Sequence, residues 1–495
     1  MINREHFRLL NHRNKSSIRE GRTLKVLFSS LCYSIFAVAV TARVGFSQAT
    51  SFDVDAYQAA ATKIISAGRE KNDSWIKLQE LCDDIGNRLS GSKSLEQAIE
   101  WAQASLKADG QENVRADEVT VHKWVRGNEH CELIKPRALR IEMLGLGGSV
   151  ATPKDGITAE VIVVKDKEEL AALPDEAIRG KIVVFNFAMP KYSLEKGSGY
   201  GDAVQYRTNG AKWASERGAV AALIRSVTAK SLNSPHTGAM RYGGAETRIP
   251  VAAITIEGAT LLARLQARGK TPVVKLYMEA ADQGEATSAN VLGEIVGSEK
   301  PEEIVVIGGH IDSWDVGQGA QDDGAGCVAA MEALNILRKL GLRPRRTIRV
   351  VLWTNEENGV AGAQNYLARH QNEIHVAGIE SDSGGFVPEG LSVEMQDEAK
   401  QEIALVQLGE ILQLLKPLNA TTAKSGHSGV DVGQLKTLGT ACLGLDVDGS
   451  LYFDTHHTNA DTVDKVNPGD LTDCAITLAV TAYVFADMPS RLGEQ

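Results

Sequence analysis

Between residues 288 and 487, short apolar runs alternate with amphipathic stretches, and this alternation limits the fold more than any other feature of the chain. Residues 304–307, 347–353, 376–379 and 441–445 are largely apolar at consecutive positions, as strands buried on both faces must be. Helical patterns at 324–340, 359–370, 402–415 and 471–485 fall between and after them. Apolar strands joined by helices indicate an α/β fold: a mostly parallel sheet covered by helices on both faces.

The chain has 495 residues, more than one ordinary core accommodates, so further parts are expected. Residues 51–115 read as helical around Trp75, Leu78, Leu81, Leu95, Ile99 and Leu106, with Gly86-Asn87-Arg88-Leu89-Ser90-Gly91-Ser92 as an interrupting loop. Residues 157–278 differ in texture. Short strands at 159–164, 181–186, 219–224, 251–256 and 273–276 and helices at 211–217 and 258–268 are set among glycine-rich loops. This is a smaller α/β module without a catalytic pattern, and its one histidine, His236, reads as a loop residue. The expected division is a signal at 1–49, an N-terminal part of the catalytic domain at 50–145, an inserted module at 146–280 and the C-terminal catalytic part at 281–495.

The first residues carry the parts of a secretory signal: a basic lead from Arg4 to Lys25, an uncharged and largely apolar run over 26–42, and small-x-Ala sites ending at Ala42 and Ala49. Cleavage after Ala49 is the expectation, placing the mature protein in a periplasmic or extracellular setting, with no later stretch apolar enough to cross a membrane. The formal net charge is -10 and no basic stripe is present, which argues against a nucleic-acid partner. Cys82, Cys131, Cys327, Cys442 and Cys474 show no metal-ligand spacing and read as small buried hydrophobes.

Chemistry gathers where the four apolar strands end. The first is followed by Gly308-Gly309-His310-Ile311-Asp312 and, further on, Asp322-Asp323-Gly324. The second is followed by Thr354-Asn355-Glu356-Glu357, the third by Glu380-Ser381-Asp382, and the fourth by a loop reaching His456-His457-Thr458-Asn459-Ala460-Asp461-Thr462. Ligands of open α/β sheets bind outside the carboxyl ends of the strands, and neighbouring strands are about 5 Å apart, so these groups can converge. That many carboxylates cannot share a dry cleft without a cation, and imidazole mixed with carboxylate suits zinc. Singly, each piece has a plain structural reading. An Asp pair before Gly caps helices, and paired glutamates suit a helix start. Their joint occurrence at four successive strand ends points to a metal-dependent enzyme.

The run from Gly308 through Asp312 to Ala320, with Asp322-Asp323-Gly324, Trp353 to Glu357, Glu380-Ser381-Asp382 and the His-x-x-x-Asp-Thr from His457 to Thr462, resembles the di-zinc aminopeptidase and glutamate carboxypeptidase family. Gly86 to Ser92 continues the likeness. The middle region resembles a protease-associated domain through Val204-Gln205-Tyr206-Arg207-Thr208, Ile224-Arg225-Ser226 and Ser234-Pro235-His236-Thr237-Gly238. The resemblance implies an exopeptidase acting on dipeptides or short peptides, two zinc ions per chain and a homodimer. It implies His310 and Asp382 on one zinc, Glu357 and His457 on the other, and Asp322 bridging. Glu356 would be the general base and Asp312 would orient His310. It also implies a cis peptide between Asp322 and Asp323. The preference for carboxypeptidase over aminopeptidase action rests on this likeness alone. The same fold also admits a single-zinc cyclase or a binding protein without catalysis, and metal stoichiometry and peptide cleavage separate these.

Overall fold

The computed structural model describes residues 53–494. The export signal expected at residues 1–49, with both cleavage points, lies outside them. Two eight-stranded sheets organise the described chain. β1 (Glu112–Val125) belongs to the first sheet, and the chain then leaves for the second. That second sheet is built from β2 (Glu129–Lys135), β3 (Leu139–Ile141), β4 (Met143–Gly145), β5 (Ile157–Val164), β6 (Ile182–Phe185), β7 (Ala221–Arg225), β8 (Val251–Ile254) and β9 (Val273–Met278). The chain returns through β10 (Ala281–Ile295) and completes the first sheet with β11 (Lys300–His310), β12 (Arg346–Trp353), β13 (Ile374–Glu380), β14 (Pro388–Glu394), β15 (Thr422–Ser425) and β16 (Ala441–Val447). The strand orders are β1-β10-β12-β11-β13-β16-β14-β15 and β3-β2-β9-β5-β6-β7-β8-β4.

The four central strands of the first sheet, β12, β11, β13 and β16, are parallel to one another, whereas β10 and β14 run antiparallel beside them. Alternate residues explain the apolar runs. Val305 and Ile307 of β11 enter a core shared with the helices Ala325–Lys339 and Pro468–Asp487, while Ile304 and Val306 face a second core with Ala363 and Tyr366 of the helix Ala361–His370. Each fully buried Val or Ile contributes about 1.5–3 kcal/mol. From β11 the chain moves to β12 on one side and then to β13 and β16 on the other. Chain order therefore reverses at β11, which opens a crevice beyond its carboxyl end.

Local signals set the helix starts. Ser92 accepts a hydrogen bond from Leu95 N at 3.1 Å and starts Lys93–Ala108, whose Leu95, Ile99, Ala102 and Leu106 are buried at helical spacing. Asn467 caps Pro468–Asp487 by accepting from Gly469 N and Asp470 N, with Pro468 in the first turn. This last helix is long and apolar enough to cross a membrane, yet most of it is buried among the other elements and it serves as a core helix.

The second sheet reaches further back than the expected boundary at residue 146. β2 and β3 pair with each other, β2 pairs with β9, and β4 pairs with β8, so residues 129–145 belong to this sheet rather than to the N-terminal catalytic part. These strands are short or mixed in polarity and follow β1 after a tight connection, which leaves no compositional break. All five described cysteines are buried free thiols.

Candidate active site

The strand ends converge as their order requires. His310 closes β11, and its Nε2 lies 3.3 Å from Asp322 Oδ1 and 3.3 Å from Asp382 Oδ1, the latter beyond β13. Across Asp322, His457 Nε2 is 3.1 Å from Asp322 Oδ2 and 3.0 Å from Glu357 Oε2, the latter beyond β12. His456 Nε2 is 3.6 Å from the same Asp322 oxygen, and its ring stacks on that of His457 with centroids 3.5 Å apart. Asp322 thus stands between two groups. The ligand-capable atoms of His310, Asp322 and Asp382 lie within 4.8 Å of one another, and so do those of Asp322, His456 and His457. Glu356 lines the cleft beside them.

Each of these side chains is held from behind. The peptide between Asp322 and Asp323 is cis, as the family resemblance implies. Asp323 turns away from the cluster to accept from His310 N and Gly326 N, both at 3.1 Å, which starts the following helix. Asp461, the acid of the His-x-x-x-Asp-Thr run, accepts from Gln321 N at 2.7 Å and Asp322 N at 3.2 Å and so fixes the backbone that carries Asp322. His457 has φ of 60°, a left-handed conformation unusual outside glycine. Its carbonyl accepts from Thr237 N at 3.0 Å, and His236 Nδ1 meets the His456 carbonyl at 2.7 Å. His236 is therefore a buried clasp on the histidine pair rather than a simple loop residue.

Asp312 meets His310 through its backbone. The His310 Nδ1 faces the backbone carbonyl of Asp312 at 2.9 Å, whereas the nearer carboxylate oxygen is 3.8 Å away. The carboxylate instead accepts from Glu356 N at 3.0 Å and Glu357 N at 3.3 Å, fixing both glutamates. Arg88, fully buried in the Gly86–Ser92 loop, ties the loop between His310 and Asp322 by donating to the carbonyls of Ile311, Gln318 and Gly319 at 2.8, 2.7 and 2.9 Å. Arg88→Ala leaves these buried acceptors unmet and is expected to cost at least about 3 kcal/mol in denaturant unfolding. A loss below about 1 kcal/mol would mean that water replaces the guanidinium.

The electrostatics call for a cation. Burial opposes charge on the histidines, yet Asp382 and Asp322 hold His310 well above its usual range, and Glu357 and Asp322 push His457 up to about 10. Burial, reinforced by neighbouring carboxylates, pushes Glu356 well above the carboxylate range and Glu357 up to about 7. Without a metal, the carboxylates draw protons onto both imidazoles, and a divalent ion can take the place of those protons. His310 Nε2, Asp322 Oδ2 and Glu357 Oε1 are also buried without hydrogen-bond partners, as ligand atoms reserved for a metal would be. The donor set, imidazole with carboxylate, fits zinc.

A cleft of about 470 Å³ opens over this cluster. It is lined by Tyr452, Phe453 and His456 of the first sheet's last loop and by Tyr192, Tyr200 and Arg207 of the inserted module, with the Tyr200 and Phe453 rings stacked at 4.7 Å between centroids. In the glycine-rich loop 425–433, His427 lines an adjoining polar cavity next to Asp382, while Asp431 is buried with neither carboxylate oxygen hydrogen-bonded. Sequence reasoning placed the His456-His457 pair at the site and gave the ligand role to His457, and it missed Arg207 as part of the site. Arg207 stood in the Val204–Thr208 run that carries the likeness to a protease-associated domain, but that run gave no sign that it reaches the cleft.

Residues 290–482 match the family model described as peptidase family M28. The chain is 42% identical to carboxypeptidase Q of Mus musculus over 441 residues, covering 88% of this chain and 91% of that protein. It is 42% identical to carboxypeptidase Q of Homo sapiens over 427 residues, covering 86% and 88%. Among solved structures, a peptidase M28 precursor from Shewanella amazonensis superposes with a TM-score of 0.83 at 34% identity, covering 89% of this chain and 98% of the other. The zinc aminopeptidase of Bacillus subtilis shares the fold, with a TM-score of 0.61 at 18% identity over 85% and 96% of the two chains. These likenesses extend over both sheets and the cluster between them, and the chain is a zinc metallopeptidase belonging to peptidase family M28.

Proposed function

We propose that this zinc-dependent exopeptidase hydrolyses dipeptides or short peptides, as a carboxypeptidase, with two zinc ions and with Glu356 as general base. The observation that carries the reading is the sharing of Asp322 between two groups of ligand-capable side chains at the ends of adjacent parallel strands. His310 and Asp382 would hold one ion, Glu357 and His457 the other, with Asp322 between them. Carboxypeptidase action is favoured by the 42% identity to carboxypeptidase Q over most of both chains. The inserted module fits a protease-associated domain, and export through the 1–49 signal and a homodimer accompany the reading.

Bound zinc supplies Lewis acidity toward the scissile carbonyl and acidifies water. The chain's own residues do the rest. Asp312 fixes the Glu356 backbone so that its carboxylate faces the cleft, where it takes the proton of the attacking water and returns it to the leaving amine. The cleft residues from the two sheets orient the peptide. Elemental analysis of the purified protein is expected to find about two zinc equivalents per chain. Chelation is expected to abolish release of amino acids from dipeptides, and added zinc to restore it. One ion per chain, or cleavage that survives chelation, would overturn the reading.

A further inference from the structure

We propose that His236 is a positioning residue for the metal centre: by holding the peptide between His456 and His457 from the inserted module, it sets the affinity of the ion that Glu357 and His457 would share. The proposal rests on the two-zinc reading above. His236 lies in the loop between β7 and β8 and is 1% exposed. Its backbone N–H donates to Ser226 Oγ at 2.9 Å, and that hydroxyl donates to the Ile254 carbonyl at 2.8 Å. The residue therefore stands on the carboxyl ends of β7 and β8. Its ring Nδ1 meets the His456 carbonyl at 2.7 Å, and because a carbonyl oxygen only accepts, Nδ1 donates.

A peptide unit is planar, so the two units that flank a Cα decide its φ and ψ. For His457 the first unit carries the His456 carbonyl and the second carries the His457 carbonyl. The second is held twice: Thr237 N donates to the His457 carbonyl at 3.0 Å, and Thr458 N donates to the Thr455 carbonyl at 3.1 Å. The first is held, among the described residues, by His236 alone. His457 has φ of 60°, a conformation that a residue with a side chain keeps only where its surroundings impose it. Once the first unit is released, φ can relax. The ring then swings away from Asp322 and Glu357, which its Nε2 meets at 3.1 and 3.0 Å.

The effect is confined to one side of the cluster. His310 closes β11 and is oriented by the Asp312 carbonyl at 2.9 Å, and the backbone of Asp322 is fixed by Asp461. None of these bonds comes from the inserted module. Loss of the His236 bond also leaves the histidine loop docked. Thr228 Oγ1 still donates to the Phe453 carbonyl at 2.7 Å, and Thr237 N still donates to the His457 carbonyl. What changes is the aim of one ligand. Groups that orient metal ligands from behind are usually worth about 10- to 100-fold in metal affinity.

The test is zinc titration of the metal-free full protein against a chelating dye, with circular dichroism to establish that each variant is folded. His236→Phe keeps a ring in the space and removes the donor, whereas His236→Asn keeps a donor at the place of Nδ1. His236→Phe is expected to weaken one of the two ions by about 10- to 100-fold and to leave the other unchanged, with His236→Asn close to wild type. Where the phenylalanine is not accommodated, His236→Ala removes the donor without filling the space and carries the same expectation. Asp382→Ala identifies the ion, because the site left to it is that of Glu357 and His457, and adding His236→Phe should weaken that site by the same factor. Equal weakening of both ions, unaltered affinity in the variants without a donor, or no recovery in His236→Asn would overturn the proposal. A wild type that binds one ion only fails the two-zinc reading instead, and the same variants then decide whether His236 governs that ion.

Discussion

Glu356→Gln is expected to fold, keep its zinc and lose turnover by about 10²–10⁴-fold, the usual worth of a positioned general base. The two adjacent glutamates are told apart by what holds them. Both backbone N–H groups are fixed by the Asp312 carboxylate, at 3.0 and 3.3 Å, so the side chains diverge from one anchored point. Glu357 turns to His457 at 3.0 Å, while Glu356 lines the cleft. Replacing a carboxylate by the amide of the same shape removes the proton acceptor and little else, so KM should move little, because the lost interaction belongs to the transition state. Glu357→Gln is expected to weaken metal binding instead, with activity partly rescued by excess zinc. The measurement is zinc content beside kcat for both variants. Metal loss in Glu356→Gln with retention in Glu357→Gln would exchange the two roles.

The parts of the molecule that were legible in the sequence are those where one physical demand controls many residues. β11, β12, β13 and β16 are buried on both faces, so their apolar runs were plain, and the acids and histidines that end them stood out against that background. β1 and β10 were not read as strands. The buried positions of β1 alternate with exposed polar ones, and the first half of β10 is exposed, so neither makes an apolar run. Their pairing comes from long-range partners that a local pattern does not register. β14 and β15 at the other margin escaped for a related reason, since β15 is mostly exposed.

The same distinction holds within the cleft. His310, Asp322, Glu357, Asp382 and His457 lie together because adjacent strand ends bring them together, and strand order was the inference available from the sequence. Arg207 sits about 250 residues from His457 in the chain and meets it only because the second sheet folds over the first. The 3.0 Å bond from Thr237 N to the His457 carbonyl and the His236 contact with the His456 carbonyl show the consequence. The inserted module does more than roof the cleft, because it holds the backbone of the histidine pair from the opposite side. A module without catalytic motifs thus shapes the site through backbone contacts, and these leave no mark on side-chain patterns.

Asp322→Ala is expected to remove most of both zinc ions and to reduce activity to that of the chelated enzyme. Its two oxygens face different partners, Oδ1 toward His310 at 3.3 Å and Oδ2 toward His457 at 3.1 Å, so no other carboxylate in the cluster serves both sides. The backbone beneath it is already fixed by Asp461 through Gln321 N and Asp322 N, and Asp323 keeps its own bonds to His310 N and Gly326 N. The substitution therefore empties the centre while leaving the loop tied, and the fold should survive. Asp382→Ala is the comparison. Asp382 faces only His310, so its loss should release one ion and spare the other. Elemental analysis of both variants, with circular dichroism to establish that each is folded, separates the two cases. Retention of one full zinc equivalent in Asp322→Ala would mean that the two ions are held independently and that Asp322 does not join them.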